Sequence, residues 1–216
     1  AKRRGVEMRI AGRDLGRVLR AFSSRSHYVA AVGMVRTYPK ALEGWRRYLS
    51  RWGDYPAEFE VRTPTGPRRI RLAGRHDFLT LNEVFCRADY AADADIRLVV
   101  DFGSNVGISA AYFLTRNPSV RVHLFEPDPR NIERLKAQLA GFEGRYVLHP
   151  VAVGVEDGRL PFSTEPTGRY GSLDAQHGGA RPDRTTVEVD VVDARRALAE
   201  IIAAEGEIDI LKIDIE

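Results

Sequence analysis

Residues 98–107 read Leu-Val-Val-Asp-Phe-Gly-Ser-Asn-Val-Gly and decide the fold. A short apolar run ends at Asp101, and Gly103 and Gly107 then enclose a polar turn before helical spacing of apolar residues resumes. This order predicts a buried strand, a tight turn that a ligand approaches closely, and a helix that packs on its strand. Asn105 stands where many nucleotide-binding turns carry glycine, and asparagine tolerates the positive φ of such positions.

The chain on either side of this turn alternates strands with helices. Strands are predicted at 97–101, 120–125, 146–153, 160–163, 186–192 and 208–215, and helices at 106–114, 129–140 and 194–204. Asp128 is the predicted N-cap of the second of these helices, and Pro129 its first residue. The alternation predicts an α/β fold of the Rossmann-like, doubly wound type, with a mostly parallel sheet and helices on both faces. A polar segment at 167–184 is too long for a tight hairpin turn.

The N-terminal part has a different pattern. Residues 1–55 are predicted to form a basic, helical extension, and residues 56–216 the ligand-binding domain. Apolar residues at helical spacing predict helices on either side of Pro39, whereas residues 58–72 predict a β-hairpin and residues 77–90 a helix. The aromatic and basic helix before residue 52 is expected to dock on the protein, with peripheral contact to an anionic membrane as the alternative.

Composition narrows the function classes. The 216 residues are 44% hydrophobic and 29% charged, typical of a globular protein, and no apolar run is long enough for a membrane span. Residues 1–50 carry 12 Lys/Arg against 3 Asp/Glu, but residues 101–216 carry 13 against 19, which argues against nucleic acid as the partner. The single cysteine, Cys86, excludes an internal disulfide and a cysteine-built zinc site and favours a cytoplasmic location. We predict no metal ligands.

Glu126 is the second feature that indicates a nucleotide ligand. It ends the second predicted strand, 23 residues after Gly103, where an acidic side chain can accept hydrogen bonds from ribose hydroxyls. The Gly-Lys-Ser/Thr of a P-loop and the Gly-x-Gly-x-x-Gly of dinucleotide enzymes are both missing around Gly103. Each feature alone is common in strand-to-helix connections, but together they predict a bound adenosine cofactor.

Four motifs in order then resemble one family. They are Val-Asp-Phe-Gly-Ser-Asn-Val-Gly (100–107), Leu-Phe-Glu-Pro-Asp-Pro (124–129), Pro-Val-Ala-Val-Gly (150–154) and Asp-Ile-Leu-Lys-Ile-Asp-Ile-Glu (209–216). This series resembles the FkbM-type S-adenosylmethionine-dependent methyltransferases. The similarity extends upstream to Asp77, Glu83 and Tyr90 and covers about residues 60–216. The family pattern continues beyond Glu216, so we expect further C-terminal sequence and further strands.

The resemblance implies S-adenosylmethionine as the cofactor and a set of residues that bind it. These are Asp101, Phe102, Gly103, Ser104, Asn105, Gly107, Glu126, Pro127, Ala152 and Val153. Asp101 and the glycine turn would hold the methionine end, Glu126 the ribose, and Ala152 with Val153 would lie near the adenine.

The same resemblance implies methyl transfer to oxygen, with a hydroxyl of a sugar or polyketide-like secondary metabolite as the acceptor. Asp214 is the first candidate for the base that takes the hydroxyl proton, although it is equally suited to contact the amino group of the cofactor. Glu216 is a further catalytic candidate. His149 and His177 are alternatives, of which His149 is expected to be structural, and Tyr170 is a candidate for stacking on a sugar ring.

Two other classes of protein remain open on the sequence. A nicotinamide-dependent oxidoreductase shares the fold and the acidic ribose ligand but requires the three-glycine fingerprint. A non-catalytic binding module would keep the fold for interaction alone.

Overall fold

The computed structural model describes residues 9–10, 13–14, 25–50, 53–164, 171–172 and 185–215. It divides into two compact units, one of residues 1–62 with 67–89 and one of residues 63–66 with 90–216. The division falls after Asp89, whereas the sequence placed a boundary between residues 55 and 56. The difference arises because residues 67–89 pack with the N-terminal helices. Within the described residues, no helix combines the length and apolarity needed to cross a bilayer.

The first unit contains short strands, helices and the predicted hairpin. Its elements are β1 (Arg9–Ile10), β2 (Arg13–Asp14), α1 (Arg25–Thr37), α2 (Ala41–Leu49), β3 (Ala57–Thr63), β4 (Gly66–Leu72), α3 (Arg75–Leu81) and a π-helical turn (Asn82–Cys86), the tip of the hairpin being grouped with the second unit. Strands β3 and β4 pair as a two-stranded sheet, which confirms the hairpin. The helix predicted at 77–90 begins at Arg75 and ends as a π-helical turn at Cys86. The apolar pattern at 15–22 lies outside the described residues.

Close packing of α1 on the π-helical turn organises this unit. Gly33 lies so near the turn that a Cβ built on it would come within 2.0 Å of the Cys86 carbonyl oxygen. Tyr38 donates its hydroxyl proton to Asn82 Oδ1 at 3.1 Å, and its ring meets Phe59 edge-on at 4.7 Å between centroids. The first unit is therefore built around a glycine contact and a buried tyrosine.

The second unit carries the predicted α/β pattern. Its elements are β5 (Leu98–Phe102), α4 (Ile108–Leu114), β6 (Arg121–Phe125), α5 (Pro129–Gln138), β7 (Tyr146–His149), β8 (Ala152–Gly154), β9 (Gly158–Thr164), β10 (Gly171–Ser172), β11 (Thr185–Asp193), α6 (Ala194–Glu205) and β12 (Ile210–Ile213). Asp128 caps α5 by accepting a hydrogen bond from Arg130 N, with Pro129 at the first helical position, as predicted. The main sheet has the strand order β12-β5-β6-β7 and is parallel throughout.

Helices cover both faces of this sheet. Leu98, Val100 and Phe102 alternate along β5 and pack on one face with Ala197 and Ile201 of α6. Asp101 points to the opposite face, where Ser109 of α4 donates a hydrogen bond to its carboxylate. The fold is therefore the predicted Rossmann-like α/β architecture.

One strand prediction was wrong. The strand expected at 146–153 is two strands, because β7 ends at His149 and β8 begins at Ala152 in another sheet. Pro150 lies between them, and a proline has no N–H to continue a ladder. The second sheet has the order β10-β9-β11-β8, with β9 antiparallel and β8 parallel to β11. Residues 171–172 of the predicted polar loop form β10 and pair with β9.

The Gly33 contact gives a stability prediction. We expect Gly33→Ala to lower the free energy of unfolding by about 1–3 kcal/mol, because the new methyl group meets backbone that cannot rotate away. Urea unfolding followed by tryptophan fluorescence measures the change.

Gly158→Ala is the matched control, because a Cβ there has no atom within 4 Å. We expect it to change the free energy of unfolding by less than about 0.5 kcal/mol. Equal effects of the two substitutions would contradict the assignment of tight packing at Gly33.

Candidate functional site

Three neighbouring strands of the parallel sheet end at the same level. Phe102 is paired in register with Phe125 of β6 and with Ile213 of β12. The next residue of each strand is therefore at one edge of the sheet: Gly103, Glu126 and Asp214. We call this group the carboxyl edge, the position at which open α/β sheets bind ligands.

The turn after β5 is folded back onto this edge by its own backbone. Gly103 N and Ser104 N both donate to the Phe125 carbonyl oxygen at 3.0 Å, and Gly107 N donates to Ser104 O at 2.9 Å. Gly103 has φ +80° and lies against the carbonyl of Asp214, which a Cβ would approach to 2.1 Å. Asn105 adopts φ 48°, the left-handed conformation predicted for it. The turn therefore needs glycine at 103.

Glu126 connects the turn to the second strand. Its Oε2 accepts from Asn105 N at 2.8 Å, and its Oε1 accepts from Asp128 N at 2.9 Å and from Asn131 Nδ2 at 3.4 Å. The residue is only 5% exposed, and burial raises the pKa of its carboxyl to about 7 against the opposing effect of these donors. The Glu126 carboxyl group is therefore desolvated, and its hydrogen-bond donors are neutral N–H groups.

Asp128, two residues further on, has the opposite electrostatic setting. Burial acts to raise the pKa of its carboxyl, but hydrogen bonds from Arg130 and Thr164 outweigh burial and lower it. Thr164 Oγ1 donates to Oδ2 at 2.7 Å, and Arg130 Nη2 lies 3.1 Å from the same oxygen. Asp128 is therefore an ionised helix cap that ties β9 to the start of α5.

Asp101 is paired with a lysine that the cofactor assignment did not include. Lys212 Nζ lies 2.7 Å from Asp101 Oδ1, and Ser109 Oγ donates to Oδ2 at 2.6 Å. Lys212 Nζ also donates to Gly103 O at 2.9 Å, and the lysine side chain is only 4% exposed. Both oxygens of Asp101 are thus engaged by the protein, and the ion pair fixes the turn.

Asp214 presents its side chain differently. Its backbone N donates to Phe102 O at 3.0 Å, which fixes the main chain beside β5. Its carboxylate is 68% exposed and accepts a hydrogen bond from Tyr90 at 3.1 Å through Oδ2. The catalytic candidate is therefore an accessible carboxylate at the carboxyl edge.

Most of the other predicted cofactor residues have buried side chains. Phe102 and Val153 are buried in the cluster beneath α6, and Ala152 is buried among Phe162, Val189 and Val191. Ser104 is buried and its hydroxyl donates a hydrogen bond to Asp101 O, Pro127 is partly buried, and Gly107 is the N-cap residue of α4. Glu216, His177 and Tyr170 lie outside the described residues.

His149 lies beside Phe125, the residue before Glu126, and contacts the carboxyl edge through it. Its ring stacks on Phe125 with 4.3 Å between centroids, and its carbonyl accepts a hydrogen bond from Glu126 N at 3.2 Å. Its Nε2 lies 3.0 Å from Nδ1 of His123, whose Nε2 lies 2.9 Å from Glu205 Oε1. Burial and the neighbouring His123 lower the pKa of His149. These contacts favour the structural role expected for His149.

Sequence reasoning missed the partners of the two aspartates. Lys212 interrupts the apolar run Ile210-Leu211-Lys212-Ile213, and a lysine inside a buried strand is expected to have an acidic partner. That signal indicates Asp101 on the neighbouring strand. The contact between Tyr90 and Asp214 joins residues 124 positions apart and has no comparable local signal.

The parallel sheet with helices on both faces and the glycine turn after β5 define a Rossmann-like α/β protein. The family model for the methyltransferase FkbM domain matches residues 101–216, and the chain belongs to this family.

Two known proteins are similar to this chain, and each is much longer than the part that the chain matches. The AMB antimetabolite synthetase AmbE of Pseudomonas aeruginosa is 28% identical in an alignment that covers 73% of this chain and 9% of the synthetase. The crystal structure of methyltransferase FkbM from Methylobacillus flagellatus KT has a TM-score of 0.40 and 16% identity, over 93% of this chain and 43% of that one. The chain therefore spans less than half the length of either protein.

The buried ion pair gives a prediction for stability. We expect Lys212→Met to lower the free energy of unfolding by about 3–5 kcal/mol, because it leaves the Asp101 carboxylate buried without its countercharge. Thermal unfolding followed by circular dichroism measures the loss.

Two further variants check the cause. Adding Asp101→Asn to Lys212→Met is expected to restore part of the stability, since it removes the unpaired charge. Lys136→Met, at an exposed position on α5, is the matched control and is expected to have little effect. A loss that persists in the double variant would point to packing rather than charge.

Proposed function

We propose that this chain is an S-adenosylmethionine-dependent O-methyltransferase that acts on a hydroxyl of a sugar or secondary metabolite. The observation that carries the proposal is the buried Glu126 carboxylate beside the Gly103 turn, at the carboxyl edge of a parallel sheet. Membership of the FkbM methyltransferase family supports the reaction class.

The residues present fit an adenosine ligand. A carboxylate has about four acceptor positions, and the protein's own donors use two on Oε1 of Glu126 and one on Oε2. Capacity therefore remains on Oε2 for a ribose hydroxyl. The glycine turn that begins at Gly103 would lie beside the rest of the ligand, and the backbone of Ala152 and Val153 would lie near the adenine.

Each charged residue at the edge then has a distinct task. S-adenosylmethionine, when bound, supplies a methyl group made electrophilic by its sulfonium. Asp101, held by Lys212 and Ser109, keeps the turn in place. Asp214 orients the acceptor hydroxyl and takes its proton, and Glu216 is the second candidate for that task.

We infer the cellular location and the partners of the protein from its composition. We place the chain in the cytoplasm because its single cysteine suits a reducing compartment. A small hydroxylated molecule is the expected partner, nucleic acid is not expected, and membrane contact through residues 1–55 is the less favoured possibility.

Ligand titration tests the cofactor. We expect S-adenosylhomocysteine to bind and NAD not to bind in isothermal titration calorimetry. Because the ribose hydroxyls need the ionised carboxylate and the pKa of Glu126 is about 7, affinity for S-adenosylhomocysteine should fall about tenfold from pH 8 to pH 6. The sign follows because a protonated carboxyl must lose its proton before it accepts these hydrogen bonds.

Two substitutions separate this effect from general pH sensitivity. Glu126→Gln is expected to bind about tenfold more weakly at pH 8 and to lose the pH dependence. Glu143→Gln, at an exposed glutamate, should retain both the affinity and the pH dependence. Binding of NAD alone would favour an oxidoreductase, and binding of neither ligand a non-catalytic module.

The role of Asp214 gives a kinetic prediction. We expect Asp214→Asn to lower kcat by about 100-fold or more with little change in affinity for S-adenosylhomocysteine, because the amide cannot take the hydroxyl proton. A panel of hydroxylated sugars and metabolites with methyl-labelled cofactor supplies the acceptor. Asp95→Asn, at an exposed aspartate, is the control and should retain activity. Unchanged turnover of Asp214→Asn would eliminate this residue as the base.

A further inference from the structure

Among the described residues, the polar side chains of Asp101, Lys212, Asp214 and Tyr90 meet where β5 and β12 end, and their charges do not balance. Lys212 is the cation of the group, and Asp101 and Asp214 are its two carboxylates. Lys212 Nζ lies 2.7 Å from Asp101 but 3.8 Å from Asp214. The ammonium is therefore matched mainly by Asp101, and the accessible Asp214 leaves this group of described residues with a net negative charge.

The backbone that carries this charge is fixed on two sides. Asp214 N donates to Phe102 O, and Gly103 lies against the Asp214 carbonyl with no room for a Cβ. Lys212, two residues earlier on the same strand, binds the Gly103 carbonyl at 2.9 Å. The main chain at Asp214 is thus held in one place by the turn that follows β5.

The side chain of Asp214 is fixed by Tyr90. The Tyr90 hydroxyl donates a hydrogen bond to Oδ2 at 3.1 Å, and the Lys212 ammonium lies 3.8 Å from the same oxygen. The ammonium also lies 5.5 Å from the centre of the Tyr90 ring, a cation–π distance. Tyr90 therefore contacts both the carboxylate and its cation, and both contacts leave Oδ1 for a ligand.

We propose that Tyr90 is a positioning residue: it holds the Asp214 carboxylate so that its negative charge selects a ligand with a positive charge at the carboxyl edge. The inference rests on the proposed function, because the sulfonium of S-adenosylmethionine is such a charge whereas the thioether of the product is neutral. Tyr90 then lets the site favour the methyl donor over the spent cofactor.

The test compares a cationic and a neutral ligand and needs no acceptor. The probes are sinefungin, which carries an amine where S-adenosylmethionine carries its methylsulfonium, and S-adenosylhomocysteine. Calorimetry at pH 8 gives the ratio of their affinities in the full chain. We expect Asp214→Asn to lower the preference for sinefungin by about two- to fivefold, the range for an exposed ion pair, and Tyr90→Phe to lower it by about twofold.

Controls keep the result specific to the hydroxyl. Tyr90→Phe retains the ring that packs near Phe113, and its affinity for S-adenosylhomocysteine is expected to stay within about twofold of the wild type. Tyr146→Phe removes the same atom elsewhere in the second unit and should leave the ratio unchanged. Thermal unfolding of each variant verifies that it folds. Tyr90→His, which also lacks the hydroxyl, is measured beside Tyr90→Phe as a second variant.

The outcomes separate the two proposals. A ratio that falls in both Asp214→Asn and Tyr90→Phe supports the inference. A ratio that falls only in Asp214→Asn, or in neither, overturns the role of Tyr90 while the cofactor proposal stands. Failure of the wild type to bind either ligand overturns the proposed function and this inference together.

Discussion

The ion pair between Lys212 and Asp101 is the interaction on which the rest of the site depends. Both groups are buried, so their desolvation is costly unless geometry and further hydrogen bonds compensate for it. The 2.7 Å contact, the Ser109 hydroxyl on the second carboxylate oxygen and the Gly103 carbonyl on the ammonium provide that compensation. Because these partners come from β5, α4 and β12, the pair fixes three elements relative to one another.

The register of the parallel strands places the candidate site residues beside this ion pair. The paired residues of β12, β5 and β6 put Gly103, Glu126 and Asp214 at one level. The turn can then use the Phe125 carbonyl for two of its N–H groups, and Glu126 can reach Asn105 N. One register therefore explains the glycine at 103 and the accessible carboxylate at 214.

Much of the fold and part of the site were predictable from sequence, for local reasons. The cap at Asp128, the left-handed Asn105 and the strand end at Glu126 each depend on a few neighbouring residues. The break between β7 and β8 was missed because residues 146–153 are mostly apolar, and periodicity alone does not show a change of sheet at Pro150. The contact of Tyr90 with Asp214 depends on the whole fold, so no local pattern encodes it.

Glu126 and Asp128 show how the same chemical group acquires two uses two residues apart. Asp128 has a guanidinium and a hydroxyl beside it, which lower its pKa despite burial, so it stays charged and structural. Glu126 has only neutral donors, so burial prevails and raises its pKa to about 7. A carboxyl group in that state destabilises the folded protein as the pH rises from about 4.5 towards 7, because the unfolded chain releases its proton first. Hydrogen-bond donors of a ligand would complete the solvation of that charge, and for this reason we propose Glu126 rather than Asp128 as the residue that binds the ligand.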